Sequence, residues 1–361
     1  MTVYYALYLL LSLGAIVGFN YLRSEKRKRN YCVFAFILIG GLLAFRHPNM
    51  GIDLAYGSTN GYLGMFQTIA EHNWEYVLSH KFLNYETGDV IFCKLISYVS
   101  TDEQMLLIAC AFISVAAFSW LICKYSDDPF ISVIVWLGLP IFLTNYSSMR
   151  QVIAIAITVV AHKYIFEKKP IKFILAVILA ATFHSSALFF LLAYPLYYVK
   201  LNKQTQLCLT VILPICYILR YRLFDLLTSL FGYNASAEHT SAITLFLVLS
   251  AMYVFTVLFS EDNDQTQRGL TNIYFVACFC QAFGSVYSTA LRMGYYFMVC
   301  LLVLLPRNLS YMKKRMKDNN VTYFLFYMTI FLAFCIFGLY SIKNTYWSKS
   351  CPYYFFWQTY V

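Results

Sequence analysis

Glu103-Gln-Met-Leu-Leu-Ile-Ala-Cys-Ala-Phe-Ile-Ser-Val-Ala-Ala-Phe-Ser-Trp-Leu-Ile-Cys123 carries one charged side chain, at its first position. Coiled as a helix, such a run can cross a hydrocarbon core of ~30 Å, which takes about 20 residues. Similar runs lie at 3–22, 31–46, 130–146, 150–166, 171–183, 185–199, 205–221, 241–259, 270–288, 292–309 and 321–341. The pattern predicts an all-α, polytopic integral membrane protein of about 12 transmembrane helices, with residues 1–361 as a single transmembrane domain. Composition agrees: 60% of residues are hydrophobic and 12% charged, and mean hydropathy is +0.62. A soluble domain is closer to an even mix.

The first run, Val3 to Leu22, has no basic stretch before it and no small-residue cleavage site after it, so it reads as a span and not as a signal peptide. The eleven cysteines are scattered singly through apolar runs, as at Cys110, Cys208, Cys278 and Cys335. That pattern suits small buried side chains, and neither a disulfide framework nor zinc-ligand spacing is visible. No metal and no cofactor are expected.

A net charge of +10 would suggest a nucleic-acid partner in a soluble protein. Here its placement carries more information. Basic clusters follow alternate runs: Arg23 to Arg29, Lys163 to Lys172, Lys200 with Lys203, and Arg307 to Lys317. Under the positive-inside rule these mark the cytoplasmic side, which sets both termini and a nearly neutral face on the periplasmic side. No nucleic-acid partner is expected.

Residues 46–102 then form an outer loop, with amphipathic stretches at Tyr62 to Ala70 and Trp74 to Leu78, placed to cap a cavity. From Asp89 to Ser100 a short segment sets Ile91, Leu95 and Val99 on one helical face and reads as re-entrant or interfacial. The two runs flanking His184 are short, and Pro195 interrupts the second. A broken hairpin at membrane depth needs protein or a wet cavity over its backbone.

On this topology Arg46, Asp53, Glu86, Arg150, His184 and Arg292 converge on the outer face from distant parts of the chain. An Arg inside a span costs roughly 2.5–3.5 kcal/mol, so it implies a compensating partner or a use. Guanidinium forks bind phosphate oxygens bidentately and keep their charge, which suits Arg150 and Arg292 to a diphosphate. The plainer alternative is an interfacial Arg snorkelling to water, or a salt bridge to Glu86 or Asp53. Asp53 and Glu86 are the candidate general bases for deprotonating a sugar hydroxyl, though either could serve only to orient an Arg. His184 could be base, phosphate donor or structural residue. Asp262-Asn263-Asp264 has the form of a metal-binding DxD but falls in a short inner loop, and Asp127-Asp128-Pro129 reads as an ordinary turn. No phosphate loop, dinucleotide fingerprint or nucleophile elbow is present.

Several short motifs recur in order: Phe45-Arg46 with Gly51-Ile-Asp53, Tyr62-x-x-x-Phe66, Glu86-x-Gly88, Arg150-Gln151-x-x-Ala154, Phe183-His184-x-Ser186-Ala187-Leu188, Arg292-x-x-Tyr295 and Pro352-Tyr353. With them the chain resembles the EpsG family of bacterial exopolysaccharide and O-antigen polymerases, the Wzy-like proteins. It departs in the residues that separate Asp53 from Tyr62, and in Asp89 where an aromatic is common. The resemblance implies a GT-C-like helical fold in the bacterial inner (cytoplasmic) membrane. It also implies a polymerase that moves a growing glycan from undecaprenyl diphosphate to a lipid-linked repeat unit at the periplasmic face. Asp53, Glu86 and His184 would then be catalytic, Arg150, Arg292 and Arg46 would hold diphosphate, and Gln151 and Tyr295 would contact substrate. Membrane lipids, a flippase and a chain-length regulator are the expected partners. A lipid-linked oligosaccharide flippase, or a membrane acyltransferase or glycan ligase, remains the alternative.

Overall fold

The computed structural model describes residues 1–18, 24–55, 61–79, 85–231, 237, 243–261, 263–316 and 319–360. In chain order the helices are α1 (Thr2–Leu13), α2 (Glu25–Ala44), α3 (Tyr62–Glu71), α4 (Trp74–Ser79), α5 (Thr87–Ser97), α6 (Glu103–Tyr125), α7 (Pro129–Gly138), α8 (Pro140–Ser147) and α9 (Met149–Phe166). There follow α10 (Pro170–Ala181), a 3-10 helix (Ser185–Leu192), α11 (Ala193–Tyr198), α12 (Lys203–Phe231), α13 (Ile243–Leu258), α14 (Gln265–Phe283), α15 (Ser288–Met298), α16 (Leu301–Arg315) and α17 (Asn320–Asn344). Among the described residues the one extended pairing is an isolated bridge between Arg46 and Phe355.

Helix starts follow local chemistry. Asp102 accepts from the Gln104 N–H at 2.8 Å, Asp128 from Ile131 N–H at 3.2 Å with Pro129 at the first helical position, and Asn319 from Thr322 N–H at 3.1 Å. Each meets a backbone donor that has no partner within its own helix. The Asp127-Asp128-Pro129 turn is thus the cap of α7.

Among the described residues four helices, α6, α9, α12 and α17, are long and apolar enough to cross a membrane, or six spans if α7 with α8 and α15 with α16 each count as one. The twelve apolar runs therefore do not become twelve uniform crossings. α10 and α13 are shorter, α2 opens on a basic turn, α14 opens on Gln265-Thr-Gln-Arg268, and the run from 185 begins as a 3-10 helix. The run 130–146 bends by 59° where Leu139 turns extended ahead of Pro140, the conformation that a following proline imposes. The run 292–309 bends by 49° between α15 and α16.

Every residue from 129 to 147 is buried, so the broken α7–α8 backbone sits where protein covers it, as apolar surroundings require. Around it α9 and α6 are largely enclosed, while α12 and α17 leave most of their apolar surface outward. The described residues of segment 46–102 form a 3-10 turn (Ile52–Leu54), α3, α4 and α5. These share a small core of Leu63, Phe66, Ile69 and Val90 with Leu107 of α6 and Ile153 of α9.

The bundle has two chemically distinct ends. At the C-terminal end of α9, Tyr125 packs on Phe166 with ring centroids 4.9 Å apart, and Tyr198 donates to the Ile165 carbonyl. Lys28 reaches the Asp127 carbonyl there at 3.2 Å. Arg307 Nε lies 2.5 Å from Asp264, near Thr266, whose hydroxyl meets Tyr197 at 3.3 Å. The N-terminal end of α9, about 27 Å away at 1.5 Å per residue, carries the 46–102 segment and both chain ends. Tyr4 donates to the Tyr146 hydroxyl at 2.9 Å and to the Ser350 carbonyl at 2.6 Å, and His47 N–H donates to the Tyr354 carbonyl at 2.8 Å.

Candidate active site

The turn from α8 into α9 places Arg150 at this second end. Its Nη1 pairs with Glu86 Oε2, its Nε donates to the Tyr62 hydroxyl at 3.1 Å, and its guanidinium lies over the Tyr85 ring at 4.6 Å. Glu86 stands at the cap of α5, where its other oxygen accepts from the Ser185 N–H at 3.0 Å and lies 3.7 Å from His184 Nδ1. One carboxylate thus joins the loop, the start of α9 and the 183–186 turn. Gly88 makes that possible: its N–H donates to the Thr182 carbonyl at 2.9 Å, and a Cβ there would lie 2.3 Å from Thr182 Oγ1 and 2.7 Å from its carbonyl oxygen.

Asp53 arrives from another direction. Gly51 holds φ at +125°, and a Cβ at that position would lie 1.9 Å from the Tyr146 carbonyl oxygen. Only glycine lets the loop press so closely on α8. Asp53 N–H then donates to Ser147 Oγ at 3.2 Å. Its carboxyl is accessible, yet crowding by protein raises its pKa, while Arg292, the Ser147 hydroxyl and Arg150 pull against that rise.

Arg292 sits on α15, tied to α9 through its carbonyl, which accepts from Gln151 Nε2 at 2.9 Å. The guanidinium is exposed and has no hydrogen-bond or ion-pair partner among the described residues. The structure therefore brings Asp53, Glu86, Arg150, His184 and Arg292 within electrostatic reach of one another at this end of the bundle.

Arg46 is not part of this group. It is 1% exposed, donates from Nη1 to the Leu43 carbonyl at 2.6 Å, and lies 5.4 Å from the centroid of the Tyr146 ring. Gln151 is likewise enclosed, its amide N–H spent on α15, so it acts as a tether between helices. Tyr295 is 3% exposed and faces a neighbouring cavity. Asp262 lies outside the described residues. Asp264 caps α14 through Thr266 N–H at 2.8 Å and pairs with Arg307, at the far end of the bundle.

Burial lowers the His184 pKa to about 4; Glu86 opposes that shift, and Arg150 and Arg292 reinforce it. The ring is neutral near pH 7. Ser186 Oγ lies 3.5 Å from the same Nδ1 that faces Glu86. Ser186, His184 and Glu86 have the composition of a catalytic triad, but hydroxyl and carboxylate meet one nitrogen, so the ring cannot relay a proton between them.

Asp89 was marked in the sequence only as an unusual residue. It is 3% exposed, its Oδ2 has no hydrogen-bond partner among the described residues, and burial pushes its pKa up to about 7, with Arg150 opposing and Glu86 adding to the rise. The spacing Glu86-x-x-Asp89 is the one available signal, since it stacks both carboxyls on the first turn of α5 beside Arg150.

Fold and site together define a membrane-embedded, all-helical protein with a cluster of ionisable side chains at one end. The chain matches the EpsG family over residues 29–355 and belongs to that family, which makes it an exopolysaccharide-related membrane protein. Neither the curated proteins nor the solved structures contain a match to it.

Proposed function

We propose that the protein is a polysaccharide polymerase that transfers a growing glycan from undecaprenyl diphosphate to a sugar hydroxyl of a lipid-linked repeat unit. The observation that carries this reading is an exposed Asp53 within electrostatic reach of Arg292, an exposed residue whose guanidinium has no hydrogen-bond or ion-pair partner among the described residues. The acceptor hydroxyl gives its proton to Asp53 and bonds to the anomeric carbon of the donor glycan. The bond from that carbon to the diphosphate breaks, and the electron pair leaves with undecaprenyl diphosphate. The diphosphate is a competent leaving group, so the protein's work is to orient it and to meet its developing charge. Arg292 does so with its free fork. Arg150 shares its donors between Glu86 and Tyr62, which gives Glu86 a positioning role and leaves Asp53 as the base.

The positive-inside rule supports reading the basic end of the bundle as cytoplasmic and this site as facing the periplasm across a bacterial cytoplasmic membrane. An energised diphosphate on each donor removes the need for nucleotide or metal. A flippase would also need a cationic cavity, but it would have no use for a basic carboxyl beside it.

Asp53→Asn keeps shape and removes the accepting oxygen. Turnover is expected to fall by about 10²–10⁴-fold, as loss of a general base does, with lipid-linked donor still bound. Arg292→Lys keeps charge but loses the planar fork and is expected to lose donor affinity and most turnover. Near-normal turnover of both variants at matched expression would overturn these assignments.

A further inference from the structure

Beside the helix that carries Arg292, a cavity of about 350 Å³ opens between α8, α13, α14, α15 and α17. That volume falls within the ~300–1,000 Å³ usual for small-molecule sites. Gln281 lines it. The side chain is 1% exposed, and its amide nitrogen and oxygen both lack a hydrogen-bond partner among the described residues. Buried polar atoms are rarely left without partners, and here two of them belong to one side chain that lines the cavity.

The rest of the wall narrows the ligand. Thr244, Tyr295, Tyr340, Ser341 and Asn344 contribute polar groups and two aromatic rings, and no Lys, Arg, Asp or Glu is among the described residues that line it. A diphosphate would find no cation there, and a lipid tail would leave the Gln281 amide unmet. A primary amide offers one acceptor oxygen and two N–H donors, which match neighbouring hydroxyls that each donate and accept. Tyrosine rings supply apolar faces for the C–H side of a sugar ring.

We propose that this cavity is a saccharide subsite that holds a neutral sugar of the lipid-linked substrate. It rests on the polymerase reading given above. Leu291 and Tyr295 line the cavity and bracket Arg292 on the same helix, so α15 presents its guanidinium to the diphosphate and Tyr295 to the sugar. Substrate register is then set by one rigid element.

The test uses full-length protein in lipid nanodiscs. The probe is the phosphate-free repeat-unit oligosaccharide released by mild acid from the host cell's own lipid-linked precursor, with binding read by saturation-transfer NMR. Gln281→Leu should weaken binding at least about tenfold, or ~1.4 kcal/mol, with no fall in melting temperature because the unmet amide is gone. Asn344→Leu, at the exposed rim, provides a second variant that does not disturb the core and should weaken binding less.

Unchanged affinity in both folded variants would overturn the subsite, as would displacement of the probe by undecaprenyl phosphate alone, which would mark a lipid groove. If wild-type protein lengthens lipid-linked units while both variants keep its affinity and KM, the subsite fails and the polymerase stands. If the probe binds through Gln281 and no lengthening occurs, the subsite stands and the polymerase fails.

Discussion

Arg150 and Arg292 have equal standing in the sequence, each near the start of an apolar helix, yet their surroundings differ. Arg150 is held by Glu86, Tyr62 and Tyr85, whereas Arg292 is exposed. Topology alone could bring these residues to one end, because alternating apolar runs decide which helix starts lie together. It could not show which carboxylate each guanidinium would meet, because that depends on how the 46–102 segment docks. Asp89 is the clearest case, since its burial comes from packing of α5 on α3 and α6. Its folded pKa near 7 lies above the ~3.9 of an unfolded chain. The folded state therefore binds an extra proton between those values, and stability falls as pH rises through that window. His184 acts oppositely: its value of about 4 lies below the ~6.5 of a free imidazole, so stability falls as pH drops through that range. Melting curves of wild type and Asp89→Asn, compared from pH 4 to 8, isolate the first contribution. The variant should gain stability relative to wild type as pH rises, and a difference that is flat with pH would rule out a protonation change at Asp89.

At the scale of elements, glycines decide how closely the loop approaches the helices. Gly88→Ala places a methyl group 2.3 Å from Thr182 Oγ1, so α5 must shift and carry Glu86 away from Ser185 and Arg150. Misplacement of about 1 Å at a site can cost ~100-fold in rate, and turnover is expected to fall on that scale with a lower melting temperature. An unchanged rate would mean that the docking of α5 does not position the site. The Glu86-x-Gly88 motif was visible in the sequence, but its purpose required the 182–184 turn to be in place. Helix breaks were legible to differing degrees. Pro140 stands inside the run 130–146 and forces Leu139 out of helical conformation, a signal present in the residues themselves. The bend between α15 and α16 has no such mark: Pro306 lies inside α16, away from the break. Packing, not local preference, sets that second bend.

Over the whole molecule, the division of charge was the feature most plainly written in the sequence. Basic clusters follow alternate apolar runs, and in the structure Lys28 and Arg307 lie at the end opposite Arg150, Glu86 and Asp53. Single cysteines placed at Lys28 and Lys314, with Cys351 replaced, should be shielded from an impermeant thiol reagent in intact cells, while positions in the 46–102 segment should label. The inverse pattern would put the site in the cytoplasm and remove it from the proposed substrate. The most direct measurement supplies purified protein in liposomes with undecaprenyl-diphosphate-linked repeat units and no nucleotide or metal, followed by a pulse of labelled repeat. The expected result is a ladder of lipid-linked oligomers with label next to the lipid, because each new unit accepts the chain and keeps its own carrier. Repeat units that cross the bilayer intact and are never lengthened would contradict it.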